Sequence, residues 1–172
     1  MAIKTILVSQ PKPEGDKSPY FDLADKYKLK IDFRPFIQVE GVDKVEFRAQ
    51  KVNFADFTAV IFTSKTAVDH FFRITKDIRF DVPDTMKYFC ISEAVAYYLQ
   101  KYVAYRKRKI FFGKQTIEEL MDVMKKHKGE NFLLPCTDIL RDKIPETLEQ
   151  NNVNFTKTML YKTVDADLSD LE

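Results

Sequence analysis

The chain has 172 residues, 45% of them hydrophobic, enough for one large domain or two small ones with a sizeable core. Its 28 basic and 26 acidic residues leave a net charge of +2, which excludes the basic footprint of a nonspecific nucleic-acid binder. No apolar run approaches membrane-spanning length, and two His with two scattered Cys give no local support for a metal site.

The N-terminus runs directly into strand-like sequence, with no charged-then-apolar signal layout. Residues 4–8 (KTILV) read as a strand, and Ser9 to Gly15 as a Pro- and Gly-containing loop. Residues 20–27 fit a helix with Ser18 as cap and Pro19 at its first position. Residues 30–39 alternate apolar and polar and read as an extended segment, with Pro35 placing it at an edge or in a connector. The charged run 43–51 reads either as a solvated loop or as a short helix.

Residues 59–72 (AVIFTSKTAVDHFF) organise the rest. Ala59 to Phe62 read as a strand buried on both faces, as in a parallel sheet. Thr63 and Ser64 follow, then a helix with Ala67, Phe71 and Ile74 on one apolar face. Residues 87–91 form the next strand, and Ser92, Glu93 and Ala94 open another helix. A strand at 109–112 is turned by Gly113, and Thr116 with Glu119 makes a capping box for a helix over 117–126. A strand at 131–134, a turn over 135–138, a helix near 140–150 and a strand at 155–161 complete the pattern. His70, beside Asp69, reads as a surface residue. His127, at a helix C-terminus, reads as partly charged for dipole reasons. Cys90 and Cys136 lie in apolar runs and read as reduced core thiols of a cytoplasmic protein, a disulfide between them being the lesser reading.

Strands alternating with helices imply α/β architecture: a parallel sheet with helices on both faces and every strand-to-helix turn on one edge. Phe62, Cys90, Phe112, Leu134 and Phe155 are expected in or beside that sheet. Ligands of open α/β sheets bind at the carboxyl ends of the strands. The helix that starts after Ser64 offers unpaired N–H groups and a positive dipole end, suited to a carboxylate or phosphate. Taken alone, the turn reads more readily as a plain helix cap. Four Gly cannot build a Walker loop or a dinucleotide-binding Gly pattern, and no Ser, His and Asp spacing suggests a hydrolase. Arg141 and Lys143 oppose a helix dipole on the same edge, which hints at an anionic ligand.

Together these segments resemble the uroporphyrinogen-III synthase family. The carrying residues are ILVSQP (6–11), SPYFDLADKYKLKIDFRPFIQVE (18–40), AVIFTSKTAVDHFF (59–72), ISEAVAYYL (91–99), LLPCTDILRDKIPETLEQNNV (133–153) and LYKTV (160–164). Ser92 and Val95 stand where the family usually has Gly and Thr, and Gln10 where it often has Arg. Members typically run longer, with a further serine-bearing turn and more βα units. The resemblance implies a parallel, flavodoxin-like sheet domain plus an incomplete second α/β domain, joined by extended connector strands. Residues 1–36 would be the first βα unit of that second domain, 37–41 a connector, 42–159 the complete domain, and 160–172 the return connector.

By resemblance the substrate is hydroxymethylbilane, a small anionic linear tetrapyrrole. The reaction removes its terminal hydroxyl, inverts ring D through a spiro intermediate and closes the macrocycle. It implies no cofactor, no metal, no nucleic acid and no membrane. Tyr161 matches the family tyrosine thought to assist hydroxyl departure, though on sequence alone it reads as an ordinary strand aromatic. Thr63, Ser64, Lys65, Ser92, Glu93, Ala94, Thr137 and Arg141 are the expected substrate-binding positions. The full-length form is expected to be a monomer. This shorter form is expected to be inactive and open to swapping or dimerising. The other class open to the pattern is a non-enzymatic flavodoxin-like or receiver-like binding module. Against it, a receiver's acidic cluster and a flavin-cradling loop after the first strand are both missing.

Overall fold

The computed structural model describes residues 3–15, 17–139 and 143–169. The chain divides into two units. One holds the described residues up to Glu40 and those from Thr163 onward; the other is Gly41–Lys162.

In the first unit, β1 (Thr5–Val8) and β2 (Lys30–Phe33) pair in parallel, with Ile6 opposite Ile31 and Val8 opposite Phe33. The helix α1 (Pro19–Tyr27) connects them. Ser18 accepts the Tyr20 N–H at 3.3 Å, and Pro19 takes the first position, where no N–H is needed. The helix stops at Lys28, which is left-handed with φ 55°. Tyr20 and Phe21 meet the Phe33 ring edge-on. No residue of α1 is buried, as expected beside a two-stranded sheet, which offers little surface to cover a helix.

The second unit carries the main core. Its strands are β4 (Ala59–Phe62), β5 (Lys87–Cys90), β6 (Ile110–Phe112) and β7 (Phe132–Thr137). Two further strands, β3 (Ile37–Gly41) and β8 (Phe155–Asp165), pass between the units. The sheet order is β3-β8-β7-β4-β5-β6, and every pair among β8, β7, β4, β5 and β6 is parallel. The Val42 N–H bonds the Leu160 carbonyl at 2.9 Å and the Ala166 N–H bonds the Phe36 carbonyl at 3.0 Å. Numbers rise along one strand as they fall along the other, so β3 runs antiparallel to β8 and the sheet is mixed. Phe62, Cys90, Phe112, Leu134 and Phe155 all lie in its strands.

Strand alternation sorts the core into two layers. Val60, Phe62, Tyr88, Cys90 and Leu133 face α3 (Lys65–Asp77) and α4 (Glu93–Leu99). Ala59, Ile61, Phe89, Phe132 and Leu134 face α5 (Ile117–Met124) and α6 (Lys143–Gln150). Helices therefore cover both faces, and all four residues of β4 are buried. The run 43–51 forms a helix, α2 (Lys44–Ala49), because Asp43 and Glu46 complete a capping box and Phe47 is buried against the Phe54 ring at 4.9 Å.

Two expectations are corrected. Pro135 to Thr137 continue β7 rather than turn. The β7–β4 register covers Phe132 and Leu133, and beyond these the strand is paired by β8 as far as Tyr161, so Pro135 falls past the point where β4 pairs. His127 packs on Phe89 and Phe111, and burial together with the Lys87 charge pushes its pKa down rather than up.

Gly113 illustrates the tightness of the sheet edge. A Cβ there would meet the Leu120 N at 3.0 Å and the Ile91 O at 3.2 Å, both backbone atoms with little room to yield. Gly113→Ala is expected to destabilise by about 1–3 kcal/mol through overpacking. Urea unfolding checks this; an unchanged midpoint would show that α5 can shift freely away from β6.

Candidate active site

Reading outward from β4, one branch runs through β5 to β6 and the other through β7 to β8. The order therefore reverses between β4 and β7. In doubly wound sheets the carboxyl ends flanking such a reversal form the ligand crevice. The chain turns there at Thr63 and Ser64 after β4, and β7 ends there at Thr137.

Ser64 has extended dihedrals, φ −159° and ψ 163°, and its hydroxyl accepts the Ala67 N–H at 3.0 Å. The Lys65 and Thr66 N–H groups, in the first turn, have no intrahelical partner. Ser92 repeats the arrangement at β5, accepting the Val95 N–H at 3.4 Å, with Glu93 and Ala94 exposed beside it. The pair Phe62 and Cys90 stand in register, so both serine turns lie on one edge.

Tyr161 reaches this edge through a bulge. Cys136 pairs with Met159, but Thr137 pairs with Tyr161, so Leu160 is the extra residue. A bulge re-aims the side chain that follows it. The Tyr161 hydroxyl lies 3.5 Å from the Ser64 hydroxyl. The phenol is 8% exposed, and burial pushes its pKa up, so it holds its proton at neutral pH. The ring stacks on His70, with centroids 5.1 Å apart and planes 19° from parallel. His70 accepts the Arg73 Nε–H at 3.2 Å through Nδ1.

Of the positions expected from sequence, the structure brings Ser64 and Tyr161 within hydrogen-bonding distance and sets Thr137 opposite Tyr161 in the ladder. Thr63, Lys65, Ser92, Glu93 and Ala94 stand at the same edge, at the turns that follow β4 and β5. The Lys65 ammonium sits 5.5 Å over the Tyr98 ring. Thr137 donates to the Asp138 carboxylate at 2.6 Å. Arg141 lies outside the described residues. The surface position expected for His70 is corrected: the residue is half-buried against Tyr161. Its spacing, i+3 from Ala67 and i−4 from Ile74, sets it on the margin of the apolar face, but the ring it packs against belongs to β8 and has no local signature.

A cavity of about 310 Å³, lined by Phe72, Tyr88, Tyr102, Arg106 and Lys109 among others, sits at the amino ends of β5 and β6. That is the opposite edge of the sheet from Ser64, and its lining includes none of the residues above. Among the described residues no group of three or more His, Cys, Asp or Glu is placed to hold a metal. No helix among them is long and apolar enough to cross a membrane. Cys90 and Cys136 are unpaired and buried, and burial raises the Cys90 thiol to about 12.

A family model described as uroporphyrinogen-III synthase HemD matches residues 22–172. The chain belongs to the uroporphyrinogen-III synthase family. No curated protein is significantly similar to it in sequence. Among solved structures, a mutant uroporphyrinogen III synthase from the extremely thermophilic bacterium Thermus thermophilus superposes with a TM-score of 0.66 at 13% identity, covering 96% of this chain and 64% of that one. The wild-type Thermus enzyme gives 0.60 at 15% identity, over 96% of this chain and 63% of its own. The uroporphyrinogen-III synthetase of Helicobacter pylori gives 0.55 at 15% identity, over 97% and 64%. At these identities the likeness describes the fold. The chain spans about 64% of the length of the family structures it matches.

Proposed function

We propose that the site serves the uroporphyrinogen-III synthase reaction, a cyclising hydro-lyase step on hydroxymethylbilane with loss of water and inversion of ring D. The observation that carries this reading is a buried tyrosine, its pKa raised by burial, 3.5 Å from a helix-capping serine at the switch point of a sheet in a chain of this family. A phenol that keeps its proton at neutral pH can give it to a leaving hydroxyl, or hold the departing water. Tyr161 has that role. The first-turn N–H groups after Ser64 and Ser92 take substrate carboxylates, helped by the dipole of each helix. Thr63, Ser64, Lys65, Ser92, Glu93, Ala94 and Thr137 form the substrate-binding edge, and Arg141 is assigned to substrate binding with them. The chemistry is acid catalysis on an activated pyrrole and draws on no cofactor.

The test is a coupled assay in which hydroxymethylbilane is generated in place and the cyclised products are separated as type I and type III isomers. Because the chain spans only part of its relatives' length, binding is measured beside turnover. A carboxylate-bearing tetrapyrrole should shift the amide resonances of Lys65, Thr66, Glu93 and Ala94. Absence of both the type III product and these shifts overturns the reading.

Ser64→Ala separates the cap from the chemistry. It is expected to cost only about 1 kcal/mol in stability or in substrate binding, the value of one cap or hydrogen bond. Thermal unfolding and isothermal titration check it. A loss several times larger in either measurement would mean that Ser64 holds more than one cap or one substrate hydrogen bond.

A further inference from the structure

Sequence puts Ser64 and Tyr161 on one edge, and the structure ties the tyrosine down through a second route. His70 lies on α3, and its imidazole stacks on the phenol at 5.1 Å. Its Nδ1 accepts from the Arg73 Nε, so the neutral ring carries its proton on Nε2. Burial first, and the Arg73 charge second, hold His70 below the ordinary histidine range, against the opposing pull of Asp69. The ring is therefore neutral at pH 7.

Arg73 reaches further than the histidine. Its Nη2 donates to the Val42 carbonyl at 2.7 Å and to the Leu160 carbonyl at 3.2 Å. Its Nη1 donates to the Asp77 carboxylate at 2.9 Å. Leu160 is the bulged residue immediately before Tyr161. One guanidinium thus grips both the ring that stacks on Tyr161 and the backbone that carries it. A planar fork can hold these partners at fixed angles, which an ammonium cannot. Gly41 provides the room: a Cβ there would stand 2.8 Å from three atoms of the guanidinium group.

We propose that His70 is a positioning residue for Tyr161, and that Arg73, seated against Gly41, sets both the stacked imidazole and the strand that presents the phenol. The inference rests on Tyr161 being the proton donor of the proposed reaction. Productive geometry in such sites is held to within about 10–20° by supporting residues of this kind. The stacked ring limits rotation of the phenol, and the bond to Leu160 limits drift of β8. Ser64 then meets the hydroxyl from the remaining side.

The test reads the phenol itself, in this 172-residue chain. Tyrosine labelled with ¹³C at Cζ reports the titration of Tyr161, and nuclear Overhauser contacts report its distance from Ser64. In His70→Ala the titration midpoint is expected to fall toward the ordinary tyrosine value, because the burial that raises it is reduced, with loss of the contact to Ser64. His70→Phe keeps a ring to stack and should retain most of both signals. Arg73→Lys keeps the charge and loses the fork, and Gly41→Ala crowds the guanidinium without touching either ring. Both should weaken the Tyr161–Ser64 contact in a chain that urea unfolding shows is still folded. A histidine that served packing alone would not pass a change at Gly41 on to Tyr161. Unchanged Tyr161 signals in Arg73→Lys and Gly41→Ala overturn the proposal. Should any one variant fail to fold, the other decides. Altered Tyr161 signals in these variants, together with full turnover in Tyr161→Phe, would leave the positioning intact and reject the catalytic reading of Tyr161.

Discussion

Tyr161→Phe is expected to lower turnover by about 10²–10⁴-fold, the range for losing a positioned general acid, with KM changed only a few-fold. The substitution removes the hydroxyl and nothing else. The ring remains stacked on His70 and shielded from solvent, so substrate carboxylates meet the same N–H donors as before. An interaction made mainly as the hydroxyl departs appears in kcat rather than in binding. The measurement is the initial rate of type III product in a form of the protein that turns over hydroxymethylbilane. Spontaneous closure to type I is subtracted first, because it proceeds whether or not the enzyme acts. Equal kinetics for the variant and its parent would make Tyr161 a structural residue.

Phe62→Ala carries the largest expected effect on stability. Phe62 is fully buried at the carboxyl end of β4. Its ring meets Phe71 edge-on at 5.5 Å, Phe72 at 6.4 Å and Tyr88, nearly parallel, at 6.0 Å. Truncation removes the piece that joins α3 to the sheet directly beneath the Ser64 turn. Phe-to-Ala changes in cores cost about 3–5 kcal/mol, of a total domain stability of about 5–15 kcal/mol. A substantial unfolded population is therefore expected at 37 °C. Phe62→Leu keeps most of the volume and should cost less than about 1.5 kcal/mol. Urea unfolding with an unchanged slope and a lowered midpoint checks both variants. A loss below about 1 kcal/mol for Phe62→Ala would contradict the close packing of this layer.

The α/β class is legible because its signals are short-range. Four consecutive apolar residues at Ala59 to Phe62 demand a strand covered on both faces, and all four are buried. Ser18 before Pro19, Ser64 before Lys65 and Thr116 before Ile117 mark helix starts because their hydroxyls satisfy donors two or three residues away. The same locality limits the reading. Pro135 reads as a turn, since proline disfavours strand interiors, yet its neighbour β8 sustains the strand and β4 pairs only with the residues before it. His70 stands at i+3 from Ala67 and i−4 from Ile74, on the margin of the apolar stripe of α3, and no periodicity shows that a ring from β8 covers that margin.

Sequence alone thus determined most of the strands and the helix starts marked by Ser18, Ser64, Ser92 and Thr116, because caps and periodicity act within a few residues. The tertiary structure alone decided what stands beside Tyr161. Ser64 and Tyr161 are 97 positions apart, and Arg73 and Leu160 are 87 apart. The one-residue bulge at Leu160 sets which of two neighbouring side chains faces Thr137. A single-residue change in register reverses every side chain beyond it, and that register is set by strand pairing, which no local pattern encodes.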